Sequence, residues 1–154
     1  MSEIEHRDAT GIIRAIAWRP TDGGAMQQAD ECNVLAHRGL DLENRNHGKR
    51  EVTLLAAEAW ADVCRELGVD LSWHMRRANF LVAGVDLART IGKTISIGEV
   101  EVYVHGESKP CQLMDDQHQG LRETLKPNGR GGVFGQVKTP GTVRIGDLVS
   151  FSNA

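Results

Sequence analysis

The amino-acid sequence predicts a mainly β protein: a β-barrel or strongly curved sheet decorated by one long helix and one or two short ones. Three observations carry this. From residue 79 onward, short apolar runs alternate with glycine-bearing turns at the spacing of small-barrel strands. One stretch alone keeps a strong helical period. Finally, 154 residues with 40% apolar side chains suffice for one buried core without disulfide or metal support.

Residues 1–10 are polar and acidic and are expected to form a flexible N-terminus ahead of a single domain over 11–154. Residues 11–18 alternate as a strand, with Ile13, Ala15 and Ala17 on one face and Ile12, Arg14, Ile16 and Trp18 on the other. Pro20 and the Asp22-Gly23-Gly24 turn end it. A second short strand is expected at 32–35, followed by a long polar loop over 36–50, and a loop of that length in a compact domain is usually functional. The long helix is expected over 53–67, where Ala56, Trp60, Val63 and Leu67 share one face. Thr53 is an acceptable N-cap and Gly68 a natural stop, and Cys64 beside the apolar face is expected to be packed. Strands follow at 79–82, 93–97, 99–105, 133–138, 142–145 and 148–151, with a short helix over 120–125. The clearest is 99–105, where Val100, Val102 and Val104 oppose Glu99, Glu101, Tyr103 and His105.

Composition removes several function classes. A formal net charge of -3 gives no basic excess for nucleic acid or an anionic membrane. The N-terminus carries no apolar segment after a basic start, and no stretch is long enough to span a bilayer, so a cytoplasmic protein is expected. Cys32, Cys64 and Cys111 are odd in number and widely spaced, which disfavours both a disulfide framework and a zinc site. There is no Gly-x-Ser-x-Gly, no His-Glu-x-x-His and no Gly-x-Gly-x-x-Gly after a strand.

Four segments remain as candidates. Cys111 follows a strand and Pro110, with Lys109 and His105 close in sequence, and positive neighbours favour the thiolate that ligates metals and attacks electrophiles. Arg76-Arg77-Ala78-Asn79 stands before the apolar run Phe80-Leu81-Val82, where paired arginines suit an anion and Asn79 adds a donor. Asn128-Gly129-Arg130-Gly131-Gly132 allows backbone N–H groups to converge beside a charge. His47-Gly48-Lys49-Arg50 precedes the expected helix, whose N-terminus favours anions. Together, a placed thiol and separate basic, glycine-bearing segments suit a ligand that offers both a soft metal and a phosphate.

Taken in order, the segments at 48–55, 76–87, Pro110-Cys111, and 129–133 with 141–147 make the chain similar to the MOSC family, the C-terminal domain of molybdenum cofactor sulfurases, in a stand-alone form. The resemblance spans about residues 11–151 and implies a MOSC/PK-like β-barrel. It implies that Cys111 ligates molybdenum or carries a persulfide, and that Arg77 and Asn79 lie close to the pocket of the molybdenum cofactor (molybdopterin). Lys49, Arg50 and Arg130 would serve its phosphate, with Lys109 beside the thiol; pyridoxal phosphate is not expected.

One departure stands out: the Gly-Asp-x-His pattern frequent in the family reads here as Gly39-Leu40-Asp41-Leu42-Glu43-Asn44-Arg45-Asn46-His47. The chain also shows no ferredoxin or aminotransferase domain of larger relatives, so electrons or sulfur would come from a separate electron donor or a cysteine desulfurase. The activities implied are reduction of N-hydroxylated compounds as the small-molecule substrate, a sulfur carrier holding a persulfide on Cys111, or a non-catalytic ligand-binding module.

Overall fold

A computed structural model of the chain describes residues 10–20, 24–43 and 48–151. Eleven strands can be traced among them: β1 (Thr10–Trp18), β2 (Gln27–Ala29), β3 (Glu31–Leu35), β4 (Gly39–Leu40), β5 (Val52–Ala56), β6 (Phe80–Ala83), β7 (Thr94–Ile97), β8 (Val100–Glu107), β9 (Val133–Thr139), β10 (Gly141–Arg144) and β11 (Leu148–Ser150). Three α-helices accompany them: α1 (Ala57–Leu67), α2 (Gln112–Gln117) and α3 (Leu121–Leu125).

The strands run β11-β7-β8-β9-β5-β6-β1, and β1 pairs back onto β11, so the sheet closes into a seven-stranded barrel with no exposed edge around its circumference. β2 extends β1, and β10-β3-β4 form a small second sheet. All pairs are antiparallel except β5 and β6, which run parallel because α1 carries the chain back between them. The expectation of a barrel with one long and one or two short helices is met, with two short ones present among the described residues.

Alternation fills the interior. Val100, Val102 and Val104 of β8 are buried as expected, together with Val52, Leu54, Phe80, Val82, Ile95, Ile97, Val133 and Val137 from neighbouring strands. Cys32, Val34, Leu40 and Val143 join this cluster, so the small sheet adds its apolar face to the barrel core. In β1 the expected faces fail at one point. Register shifts between Ile13 and Ala15 against β6, and this bulge turns Ile16 inward beside Ile13 while Ile12 stays 41% exposed.

The largest correction concerns the helix, which begins at Ala57 and not at Thr53. Residues 52–56 are β5, a strand buried on both faces: Val52 and Leu54 point into the barrel, while Leu55 joins a second cluster with Trp60, Val63, Ala78, Met114, Leu121 and Leu125. A doubly buried strand has no polar alternation to mark it, so its apolar run merges with the helical period. Ala56 is the residue before α1 and makes no side-chain cap, whereas Gly68 closes the helix at φ 71° as expected. The expected loop 36–50 contains β4, and residues 44–47, including His47, lie outside the described residues, as do residues 1–9. Thr10, placed in the flexible N-terminus by sequence, is the first residue of β1.

Gly135 faces inward where β9 meets both β5 and β8, and a Cβ there would collide with the Tyr103 carbonyl oxygen. Gly135→Ala is therefore expected to cost about 2 kcal/mol or more of stability in urea unfolding. An unchanged midpoint would mean that the two strands are not packed this closely.

Candidate functional site

Three segments far apart in the chain meet at one end of the barrel. The 3₁₀ turn Trp73–Arg76 leads through Arg77, held at φ 56°, into β6. The segment after β8 carries Ser108, Lys109, Pro110 and Cys111, the last standing just before α2. The glycine turn before β9 supplies Gly131 and Gly132. Between them lies a cavity of about 220 Å³ whose lining includes Arg50, Arg76, Arg77, Asn79, Ser108 and Lys109.

Arg76 holds these segments together. Its Nη2 donates to the Ser108 carbonyl at 2.8 Å and to the Gly131 carbonyl at 2.7 Å, and its Nε donates to Gly131 at 3.2 Å. The third guanidinium nitrogen, Nη1, donates to the Met114 sulfur at 2.9 Å. Burial pushes this guanidinium below its ordinary range, and Arg50 acts the same way, whereas Cys111 and Glu107 oppose the shift. Cys111 therefore lies within electrostatic reach of Arg76 although it does not line the cavity. Gly131 is required at this contact, since a Cβ would run into the Ser108 carbonyl oxygen and stand 3.1 Å from Arg76 Nη2. The backbone closes the same seam where Ser108 N–H donates to the Gly132 carbonyl at 2.8 Å.

Asn79 is buried and fully engaged. Its Oδ1 accepts from Thr53 N–H at 3.0 Å and from Thr53 Oγ1 at 3.2 Å, while Nδ2 donates to the Ala17 carbonyl at 3.2 Å and to Glu43 Oε2 at 3.3 Å. Glu43 Oε2 also accepts from Arg19 N–H at 3.0 Å. These bonds tie β1, β5, β6 and the segment after β4 into one wall of the cavity. Glu43, absent from the sequence candidates, is 6% exposed; only a buried carboxylate with several donors makes sense of it, and nothing in its local sequence says so.

Of the residues expected to bind a cofactor, Arg50, Arg77, Asn79 and Lys109 line this cavity. Arg50 stands over the Phe134 ring at 4.3 Å to its centroid, which fixes the cation at the cavity's edge. Lys49 is exposed in the turn beside it and does not line the cavity. The structure does not bring Arg130 there either. Its guanidinium donates to Glu66 at 2.6 Å and to the Thr124 carbonyl at 3.0 Å, and it borders a second cavity with Glu58, Asp62 and Asp86. The hydrogen bond from Arg130 holds the Glu66 carboxyl below the usual carboxylate range. Nor does 48–50 feed a helix N-terminus, because β5 intervenes; that anion site is corrected by the position of α1. His105 lies outside the cavity, with Nε2 at 2.7 Å from Gln136 Oε1 and its ring stacked on Phe134.

The three thiols differ sharply. Cys111 is exposed, Cys64 sits at 3.6 Å from the Leu71 carbonyl, and Cys32 is buried. Burial pushes the Cys32 thiol up to about 12, with Asp41, Glu43 and Glu31 acting in the same direction. Among the described residues, no group of three His, Cys, Asp or Glu side chains is placed to hold a bare metal ion. A metal at Cys111 would have to arrive with other ligands of its own.

A family model for the MOSC domain matches residues 35–150. The chain belongs to the MOSC domain family. The same architecture recurs in solved structures. The YUAD protein from Bacillus subtilis superposes with a TM-score of 0.76 at 18% identity, over 94% of this chain and 97% of that one. YiiM from Geobacillus stearothermophilus gives 0.71 at 14% identity over 92% of this chain and 74% of that one. YiiM from Escherichia coli gives 0.68 at 16% over 93% and 70%. At these identities the likeness establishes the fold. No curated protein is significantly similar to this MOSC chain in sequence. No helix among the described residues is long and apolar enough to cross a membrane.

Two outcomes follow. Asn79→Ala leaves the Thr53 amide without its acceptor and Glu43 with only the Arg19 N–H of its two donors, and should cost about 3 kcal/mol in chemical unfolding; a loss under about 1 kcal/mol would show that the wall stands without it. In the native protein a short pulse of iodoacetamide should modify Cys111 and leave Cys32 untouched, as read by peptide mass spectrometry. Labelling of Cys32 at a comparable rate would contradict its burial.

Proposed function

We propose that this MOSC domain binds molybdenum cofactor, with the Cys111 thiolate as protein ligand to the metal and the cationic cavity holding the phosphate-bearing part of the pterin. The observation that carries the reading is an exposed thiol three residues beyond Ser108, whose carbonyl Arg76 holds against the glycine turn, next to a cavity lined by Arg50, Arg77 and Lys109. MOSC domains are generally associated with this cofactor, and the donor set fits it. A single thiolate suffices where the pterin supplies two dithiolene sulfurs, and three cations suit an anionic ligand. The orphaned Ser108 hydroxyl in the cavity supplies a further polar contact that the chain itself does not use.

The roles then divide by residue. Cys111 anchors the metal at the rim, Arg50, Arg77 and Lys109 neutralise the anionic portion, and Asn79 positions the wall without contacting ligand, since both ends of its amide are already bonded. When bound, the cofactor supplies a two-electron redox centre for oxygen-atom transfer, which suits reduction of N-hydroxylated compounds with electrons from a separate donor. Arg76 keeps the thiol-bearing segment against the glycine turn, so the anchor and the anion site move as one body.

Exposure of Cys111 also supports a second reading, a persulfide carrier loaded by a cysteine desulfurase. Protein purified from a host that makes the cofactor separates the two. Molybdenum near one atom per chain, lost in Cys111→Ser, is expected by elemental mass spectrometry. Absence of the metal from the native chain, with a reductant-labile sulfur adduct in its intact mass after desulfurase treatment, would replace the cofactor reading by the carrier.

A further inference from the structure

The barrel closes where β1 pairs with β11, and three of the six large apolar side chains left exposed among the described residues gather at this junction. They are Ile12 at 41%, Ile145 at 46% and Leu148 at 62%. Ile12 and Leu148 are directly opposed in the ladder, so both stand on the outer face, while the adjacent Ile13 and Val149 point into the core. The Gly146 N–H donates to the Ile13 carbonyl at 2.7 Å, which brings the turn carrying Ile145 against the same strand. Aliphatic residues scattered singly over a surface need no account, but a contiguous group marks a contact.

The charges at the two ends of this patch are opposite and unspent. Arg14 lies two residues beyond Ile12 on β1, about 7 Å along the strand, and is exposed with no partner among the described residues. β6 runs antiparallel to β1 with Ala83 against Ile12, so the chain beyond Ala83 leads away from Arg14 to Asp86, whose carboxylate is likewise unpartnered among the described residues. Asp86 lines the second cavity, of about 370 Å³, with Glu58 and Asp62, and the cation there, Arg130, is already bonded to Glu66. That cavity borders the start of β1, since a Cβ on its Gly84 would stand 3.2 Å from the Gly11 Cα.

A cation at one end, an apolar centre and carboxylates at the other form a self-complementary surface. Rotation by half a turn about an axis at Ile12 exchanges the ends, setting Arg14 of each copy over the acidic cavity of the other while the aliphatic side chains meet in the middle. An isologous contact requires this arrangement, because one surface must serve as both partners. A small cationic ligand would satisfy the cavity but leave Leu148 and Arg14 bare. A second copy of the chain covers all three parts.

We propose that this face is the interface of a symmetric homodimer, centred on Ile12 and Leu148 and oriented by Arg14 against Glu58 and Asp86. It lies at the opposite end of β1 and β6 from Asn79, which bonds to Ala17, so dimerisation leaves the cationic cavity and Cys111 open in both copies. The interface does not rest on the cofactor reading.

Sedimentation-velocity ultracentrifugation of the full chain over a concentration series tests it, with a species of twice the chain's mass as the expected result. Leu148→Glu, at the most exposed of these positions, should weaken dimerisation roughly a hundredfold by placing a charge at the buried centre. Ile145→Ser, in the turn, should weaken it in the same direction without altering a strand. Arg14→Glu and Asp86→Arg should each weaken it about tenfold, and the two together should recover most of that loss because opposite charges face one another again. The far-UV circular dichroism of every variant is expected to match the native chain.

A monomer at every concentration, or a dimer that survives both Leu148→Glu and Ile145→Ser unchanged, overturns the interface. A dimer that Leu148→Glu disrupts, but in which the two charge reversals add instead of compensating, overturns the pairing of Arg14 with the acidic cavity.

Discussion

The guanidinium of Arg76 is the contact on which the site depends, because it converts three distant stretches of chain into one wall. A barrel fixes where its strands end, but it leaves the loops beyond them free to diverge. Here one planar fork satisfies the carbonyls of Ser108 and Gly131 at once, a geometry that a lysine ammonium on a flexible stem does not reproduce. The cost of burying that charge is visible in its depressed proton affinity, and it is offset by the carbonyl dipoles and by the electrostatic contribution of Cys111 and Glu107.

Asn79 performs the complementary task on the opposite side. It lies at the start of the central parallel pair β5 and β6, where its amide replaces ladder partners that the strand ends lack and reaches across to Glu43 and β1. This separates the cavity's polar residues into those that build it and those that remain for a ligand. Arg76, Asn79 and Glu43 belong to the first group; Arg50, Arg77, Lys109 and Ser108 belong to the second. Residue type alone does not make the distinction, since Arg76 and Arg77 are neighbours with opposite fates. The turn decides it: Arg76 ends the 3₁₀ turn facing the glycine loop, and Arg77 takes the left-handed conformation that redirects the chain into β6.

The barrel was legible because its strands obey an alternation that survives without tertiary information. Val100, Val102 and Val104 show this most clearly. Where the alternation is broken by tertiary structure, the sequence misleads: the bulge in β1 moves Ile16 to the interior, and double burial disguises β5 as the first turn of the helix. The site was legible in part for a similar reason. Segments that are basic and glycine-bearing stand out one by one, and Arg50, Arg77, Asn79 and Lys109 do converge. Whether a given cation is spoken for depends on partners distant in sequence, as with Arg130 and Glu66, which are 64 residues apart. Ser108 carried no signal at all, because a serine matters here only through what its hydroxyl lacks.

The distribution of charge explains why bulk composition did not reveal the cationic cavity. A net charge of -3 describes the whole chain, yet the first cavity collects four cations against one carboxylate, Glu43, while the second gathers Glu58, Asp62 and Asp86 around the already paired Arg130. Fields in clefts are set by the nearest charges and by the low-dielectric walls that focus them, and distant surface charges are screened within about 8–10 Å at ordinary salt. A mildly acidic protein can therefore hold a strongly anion-attracting pocket. Such an arrangement confines the attraction to one cavity instead of spreading it over the surface, where it would draw nucleic acids and membranes as readily as a small ligand.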